Sequence, residues 1–101
     1  MYQLDTGAGT YLREAEHTYL LAQKIFLRVD NKGIDFAANT SGIAMIYHRQ
    51  GKLDLAEHTY LLAQKILKKQ VGNNHPLIAQ NLRNLAVVFA AKGLETKALQ
   101  L

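Results

Sequence analysis

AEHTYLLAQKI occupies positions 15–25 and returns, letter for letter, at positions 56–66. Eleven identical residues at a separation of 41 mark an internal duplication. A period of about 20–50 residues belongs to chains built from one supersecondary unit stacked on its neighbours. Around the first copy, Leu12, Ala15, Tyr19, Ala22 and Phe26 step by three or four residues and share one helical face. Leu20, Leu21, Ile25 and Leu27 widen that face, so the helix is expected to meet neighbours on two sides.

Working outward, the spacing predicts a first helix over 10–29, with Gly7 and Gly9 discouraging helix before it and Asp30-Asn31-Lys32-Gly33 as the turn. A second helix is expected over 34–50, with Phe36, Ile43, Ala44, Ile46 and Tyr47 as its larger apolar positions and Gly51 as its stop. Gly42 in its middle costs about 1 kcal/mol relative to Ala, which implies close approach of another helix or a bound chain. A third helix, over 52–70, repeats the first through Leu55, Ala56, Tyr60, Ala63 and Leu67, with Leu62 and Ile66 beside them. After Val71-Gly72-Asn73-Asn74, either Asn74 or His75 can cap a fourth helix that carries Pro76 in its first turn and runs to Lys92. Gly93 is expected to end it, with residues 94–101 starting a fifth. No stretch alternates with period two, so the fold class is all-α.

The later units align at one spacing. Gly51 and Gly93, Ala56 and Ala98, Tyr47 and Phe89, and Asn39 and Asn81 are each 42 apart, as are Ile43-Ala44 and Leu85-Ala86. The middle unit then reads as a large–small pair and an aromatic (Ile43, Ala44, Tyr47), a Gly turn (Gly51), and a small–aromatic–small set (Ala56, Tyr60, Ala63). The first unit keeps Ala15, Tyr19 and Ala22, and the last keeps Leu85, Ala86, Phe89, Gly93 and Ala98. This pattern resembles the tetratricopeptide repeat, and the 42-residue period, with His75-Pro76 ahead of Asn81, Asn84, Leu85 and Ala86, resembles its longer kinesin-light-chain variety. The departures are Thr40, where a bulkier residue is usual, and Ile34 in place of a second Pro.

The resemblance implies a right-handed α-solenoid of antiparallel helix pairs with about two and a half repeats. They form one domain over 1–101: a partial repeat at 10–33, a full one at 34–74 and a partial one at 75–101, a slice of a longer array. It also implies that the small and aromatic residues above are packing positions. Small residues let paired helices approach, and the aromatics fill the space beside them.

Composition excludes several classes of function. The 101 residues contain no cysteine, which removes disulfides, thiol nucleophiles and thiolate metal sites and fits a reducing compartment. No secretory leader pattern opens the chain and no apolar run approaches the roughly 20 residues that span a bilayer, so the expected location is cytoplasmic. The net charge of +4 is spread along the sequence. Its one cluster, Lys65, Lys68 and Lys69, falls at a helix C-terminus, where cations complement the macrodipole. Nucleic-acid binding is therefore the weakest of the readings.

Ser41 is the only serine and lacks a nucleophile elbow, and the glycines form no phosphate loop. His17 and His58 are one position duplicated, and His48 with His58 lacks a third ligand. The expectation is no enzyme, no cofactor and no metal. What remains is a binding face. On the second helix Ala38, Ser41, Gly42, Met45 and Arg49 form a stripe turned away from Ile43, Ala44 and Tyr47. On the fourth, Gln80, Arg83, Asn84, Val87 and Ala91 form its counterpart.

In the family these first helices line the concave surface, so Ser41, Met45, Arg49, Gln80, Arg83, Asn84 and Val87 are the candidate peptide-groove residues, with Asn84 suited to donate and accept at once. Some relatives clamp a terminal carboxylate there with Lys and Asn; Ser41, Met45 and Val87 argue against that partner. The expected role is a scaffold for a peptide or protein partner, the alternative an oligomerisation or regulatory segment of a larger signalling or transcription protein. Leu20, Leu21 and Leu27 on an end helix also predict self-association, because terminal repeats normally carry a polar capping face.

Overall fold

The computed structural model describes residues 6–100, with side chains over 9–96. Four helices follow one another: α1 (Thr6–Val29), α2 (Ile34–Arg49), α3 (Leu53–Val71) and α4 (Pro76–Gln100). Each packs on its sequence neighbour, and α2 also touches α4. The stack is elongated, 45 × 29 × 18 Å, as expected when each unit contacts only the next.

The connections are built by local chemistry. At the end of α2 the Lys52 N–H reaches Tyr47 O (2.9 Å) and the Gly51 N–H reaches His48 O (3.0 Å). This is the Schellman arrangement, and it places Gly51 at φ +80°, a conformation that favours a residue without Cβ. Of the two candidate caps for α4, His75 takes the role: its Nδ1 accepts from the Leu77 N–H at 3.1 Å, and Pro76 occupies the first helical position.

Two expected boundaries are corrected. Helix α1 begins at Thr6 rather than Thr10 and passes through Gly7 and Gly9. Gly93 does not stop α4, which runs unbroken from Pro76 to Gln100, so no separate fifth helix forms. Leu94, Glu95, Lys97, Ala98 and Leu99 are good helix formers, and among the described residues no helix follows α4 to pack on the face that carries Ala86 and Phe89. Ala86 and Phe89, expected to be packing residues, are consequently exposed, Phe89 by 49%. The side chain of Ala98 lies outside the described residues.

The core lies where α3 is held between α2 and α4. Ala44, Ala56, Tyr60, Leu85 and Val88 form one buried cluster with Met45 and Tyr47 packed against it. Ala37, Leu67 and Ile78 form a second, with Ile66, Val71 and Leu77 alongside. Ile43 and Ala63 are also buried. Ala15, Tyr19 and Ala22 are only half-buried, because α1 has a neighbour on one side alone. Gly42 answers the question its position raised: a Cβ there would lie 2.6 Å from Tyr19 Cζ and 2.9 Å from its hydroxyl, so the close approach is that of α1.

A polar clasp ties each AEHTYLLAQKI helix to the helix after it, twice over. Asn39 Nδ2 donates to Tyr19 O (3.1 Å) and Gln23 Oε1 (2.6 Å). Asn81 Nδ2 donates to Tyr60 O (3.0 Å) and Gln64 Oε1 (2.8 Å). In the first clasp the Gln23 amide also donates to Thr40 Oγ1 at 3.1 Å, which accounts for the departure at Thr40. In the second, Leu82 stands at the corresponding position and Gln64 Nε2 is buried with no partner. Below each clasp a further pair recurs: Gln50 to Glu16 at 2.8 Å, and Lys92 to Glu57 at 2.5 Å and to Asp54 at 2.8 Å.

Candidate functional site

The groove residues come from α2 and α4, held side by side by the α3 helix that both pack on. Where the two helices touch, Ser41 Oγ donates to Asn81 Oδ1 at 2.8 Å. This bond also fixes the Asn81 amide so that its nitrogen points into the clasp on α3. Beside it lies a cavity of about 120 Å³ lined by Ala38, Ser41, Gln80, Asn81 and Asn84, floored by Leu67 and Leu77. Small residues on α2 leave the space, and the amides on α4 line it.

The seven candidate residues divide accordingly. Ser41, Gln80 and Asn84 line this cavity together. Met45 turns inward and packs on the cluster around Tyr60. Arg49, Arg83 and Val87 are exposed outside the cavity wall. Gly42 faces Tyr19 of α1 rather than the groove. Among the described residues the side-chain amides of Gln80 and Asn84 have no hydrogen-bond partner within the chain, so their donors and acceptors are available to a ligand.

Burial pushes the Tyr60 hydroxyl up from its ordinary value, with the Arg49 charge opposing, so it stays neutral and structural. The other perturbed groups are Asp54 and Lys92, which shift because they pair with one another. Among the described residues no three His, Asp or Glu side chains converge on a point where a metal could sit.

A model of the tetratricopeptide repeat matches residues 35–101. The chain belongs to the tetratricopeptide repeat family. No curated protein and no solved structure gives a significant match. Tetratricopeptide repeats are generally protein–protein interaction scaffolds and typically non-catalytic, and the helical-repeat architecture described above is theirs. No described helix is long and apolar enough to cross a membrane.

A second hollow escaped the sequence reading. Leu27, Asn31, Lys32, Phe36, Leu62, Lys65, Ile66, Lys69 and Gln70 surround a broad, open-sided space of about 430 Å³ between the ends of α1 and α3. Its apolar floor and basic rim come from α1, the turn after it, α2 and α3, so no local motif announces it. The only linear signal was the Lys65–Lys68–Lys69 cluster, two of whose members rim the hollow.

Proposed function

We propose that the chain is a tetratricopeptide-repeat scaffold that holds an extended peptide, or an extended segment of a partner protein, in the groove between α2 and α4. The observation that carries this reading is the cavity walled by Ser41, Gln80 and Asn84, with two amides unengaged inside the chain. A volume of about 120 Å³ lies well below the roughly 300–1,000 Å³ of small-molecule sites. It accommodates one side chain of a ligand whose remainder lies along the groove. The primary amides of Gln80 and Asn84 can each donate and accept, which matches peptide backbone without demanding a charged sequence. Arg83 and Arg49 flank the groove as exposed cations and favour ligands with acidic residues near the bound segment.

The test is a screen of immobilised peptides against the 101-residue chain, repeated with the Arg83→Ala plus Asn84→Ala double variant. The reading expects the double variant to lose its hits, while Lys65→Ala plus Lys69→Ala on the other hollow retains them. Hits that survive the first variant and vanish with the second would transfer the binding site to the α1–α3 hollow. Binding of oligonucleotides with steep salt dependence would instead support a nucleic-acid role.

A further inference from the structure

Two faces of the stack are open among the described residues, and each is a copy of a face that is closed elsewhere in the same chain. On α2, Ala37 and Ala44 are fully buried beneath α3 and Tyr47 packs at their edge. Their counterparts on α4, Ala79, Ala86 and Phe89, are all exposed. The adjoining face of α4, toward α3, is as closed as that of α2: Ile78, Leu85 and Val88 are buried like Phe36, Ile43 and Ile46. Among the described residues helix α4 is therefore a second α2 with no α3 packed against it.

At the other end α1 is a second α3. It carries the same eleven residues, yet Ala15 and Ala22 are half-buried where Ala56 and Ala63 are fully buried. Ile25 is 63% exposed where Ile66 packs against the core. Identical side chains differ in exposure because α3 is covered on two sides and α1 on one.

We infer that α1 of a second copy docks on α4 as α3 docks on α2, joining copies head to tail into an open-ended array. The occupant is specified by sequence, since Ala56, Tyr60, Ala63 and Ile66 of α3 recur unchanged on α1 as Ala15, Tyr19, Ala22 and Ile25, with Phe26 in the place of Leu67. The order of helices agrees: α4 is of the α2 type, which pairs with a helix of the α3 type, and α1 is one. Beyond the position of Gly93, α4 extends to Gln100, and α1 begins at Thr6, ahead of the counterpart of Leu53. The two extra lengths of helix would then lie side by side, making the pair longer than α2–α3. A contact between two different surfaces does not close on itself, and growth is limited only by concentration. This inference stands independently of whether the groove holds a peptide.

Sedimentation of the 101-residue chain at concentrations up to about 100 μM, the range that reveals micromolar association, tests it. The expected result is an average mass that rises through the dimer without a plateau. Phe89→Glu blocks one end and Ile25→Glu the other, at side chains with room in the monomer. Each variant alone should remain monomeric with unchanged helical circular dichroism. Their equimolar mixture should form a dimer and stop there, since one intact end of each kind remains. Ala86→Arg and Thr18→Arg give a second such pair should either variant lose helix. A monomeric wild type overturns the inference. It is equally overturned by a dimer that the mixture fails to restore, or by either variant associating like the wild type.

Discussion

Replacing Asn81 with Ala removes the hydrogen bonds that join three helices at one point. Asn81 is 3% exposed; its amide nitrogen serves Tyr60 O and Gln64 Oε1, and its oxygen accepts from Ser41. The bonds to Gln64 and from Ser41 at about 1 kcal/mol each, plus about 1–2 kcal/mol for leaving the buried Gln64 amide with no partner, give a loss of about 3–4 kcal/mol. The Tyr60 carbonyl adds little, because it keeps its own helical donor. Asn39→Ala removes the equivalent clasp on α1 at a smaller cost of about 1–2 kcal/mol, since Asn39 is half-buried and Gln23 keeps Thr40.

Replacing both buried partners by apolar residues (Gln64→Leu with Asn81→Leu) should recover most of the loss, because the one hydroxyl left without its partner, that of Ser41, is only half-buried. Urea titrations followed by far-ultraviolet circular dichroism measure all three. An Asn81→Ala cost below about 0.5 kcal/mol, or one no larger than that of Asn39→Ala, would refute the assignment of the clasp as the principal polar tie between α3 and α4.

Further outcomes follow from other contacts. Leu82→Thr places a hydroxyl where Thr40 stands in the first clasp and should raise stability by about 1 kcal/mol by giving Gln64 Nε2 an acceptor; Leu82 is 49% exposed, so little burial is lost, and an unchanged urea midpoint would count against it. Gly42→Ala drives a methyl into the Tyr19 ring and should cost a net 1 kcal/mol or roughly that, overpacking outweighing the gain in helix propensity; a stabilised variant would show that the ring yields freely.

The Lys92 cluster imposes a pH dependence at both extremes. Its hydrogen bond and then its charge lower the pKa of Asp54 below the ordinary 3.8. The stabilisation from Asp54 is thus complete above that value and lost as pH falls through the native one. Hydrogen bonds to Asp54 and then to Glu57 push Lys92 up, so its contribution is complete below the unfolded lysine value and is lost as pH rises through the native one. The difference in urea midpoint between wild type and Lys92→Met should be present at about pH 6 and shrink toward about pH 2; a constant difference would mean that the pair is inert.

The candidate site was legible in part. Helical period gave the stripes on α2 and α4, and three of the seven residues on them meet at one cavity. Periodicity alone could not distinguish Met45, which turns to the core, from Ser41, one turn away, because both lie on the stripe and only the distance between α2 and α4 separates inside from outside. The α1–α3 hollow was illegible for a related reason, its walls being contributed by segments far apart in sequence.

The sequence by itself determined the helices, their pairing and the repeat, because an eleven-residue duplication and a fixed 42-residue spacing leave few ways to bury the apolar faces. It also placed Asn39 and Asn81 in register without revealing what they hold. Only the tertiary structure decided that Gly42 admits Tyr19, that Gln23 and Gln64 complete the clasps, and that Gly93 lies inside a helix. The glycine at position 51 is a turn because α3 returns to pack on Ala44 and Tyr47. The one at position 93 lies inside a helix, and among the described residues Ala86 and Phe89 have no such partner; a glycine turns the chain only where packing on the far side stabilises the reversal.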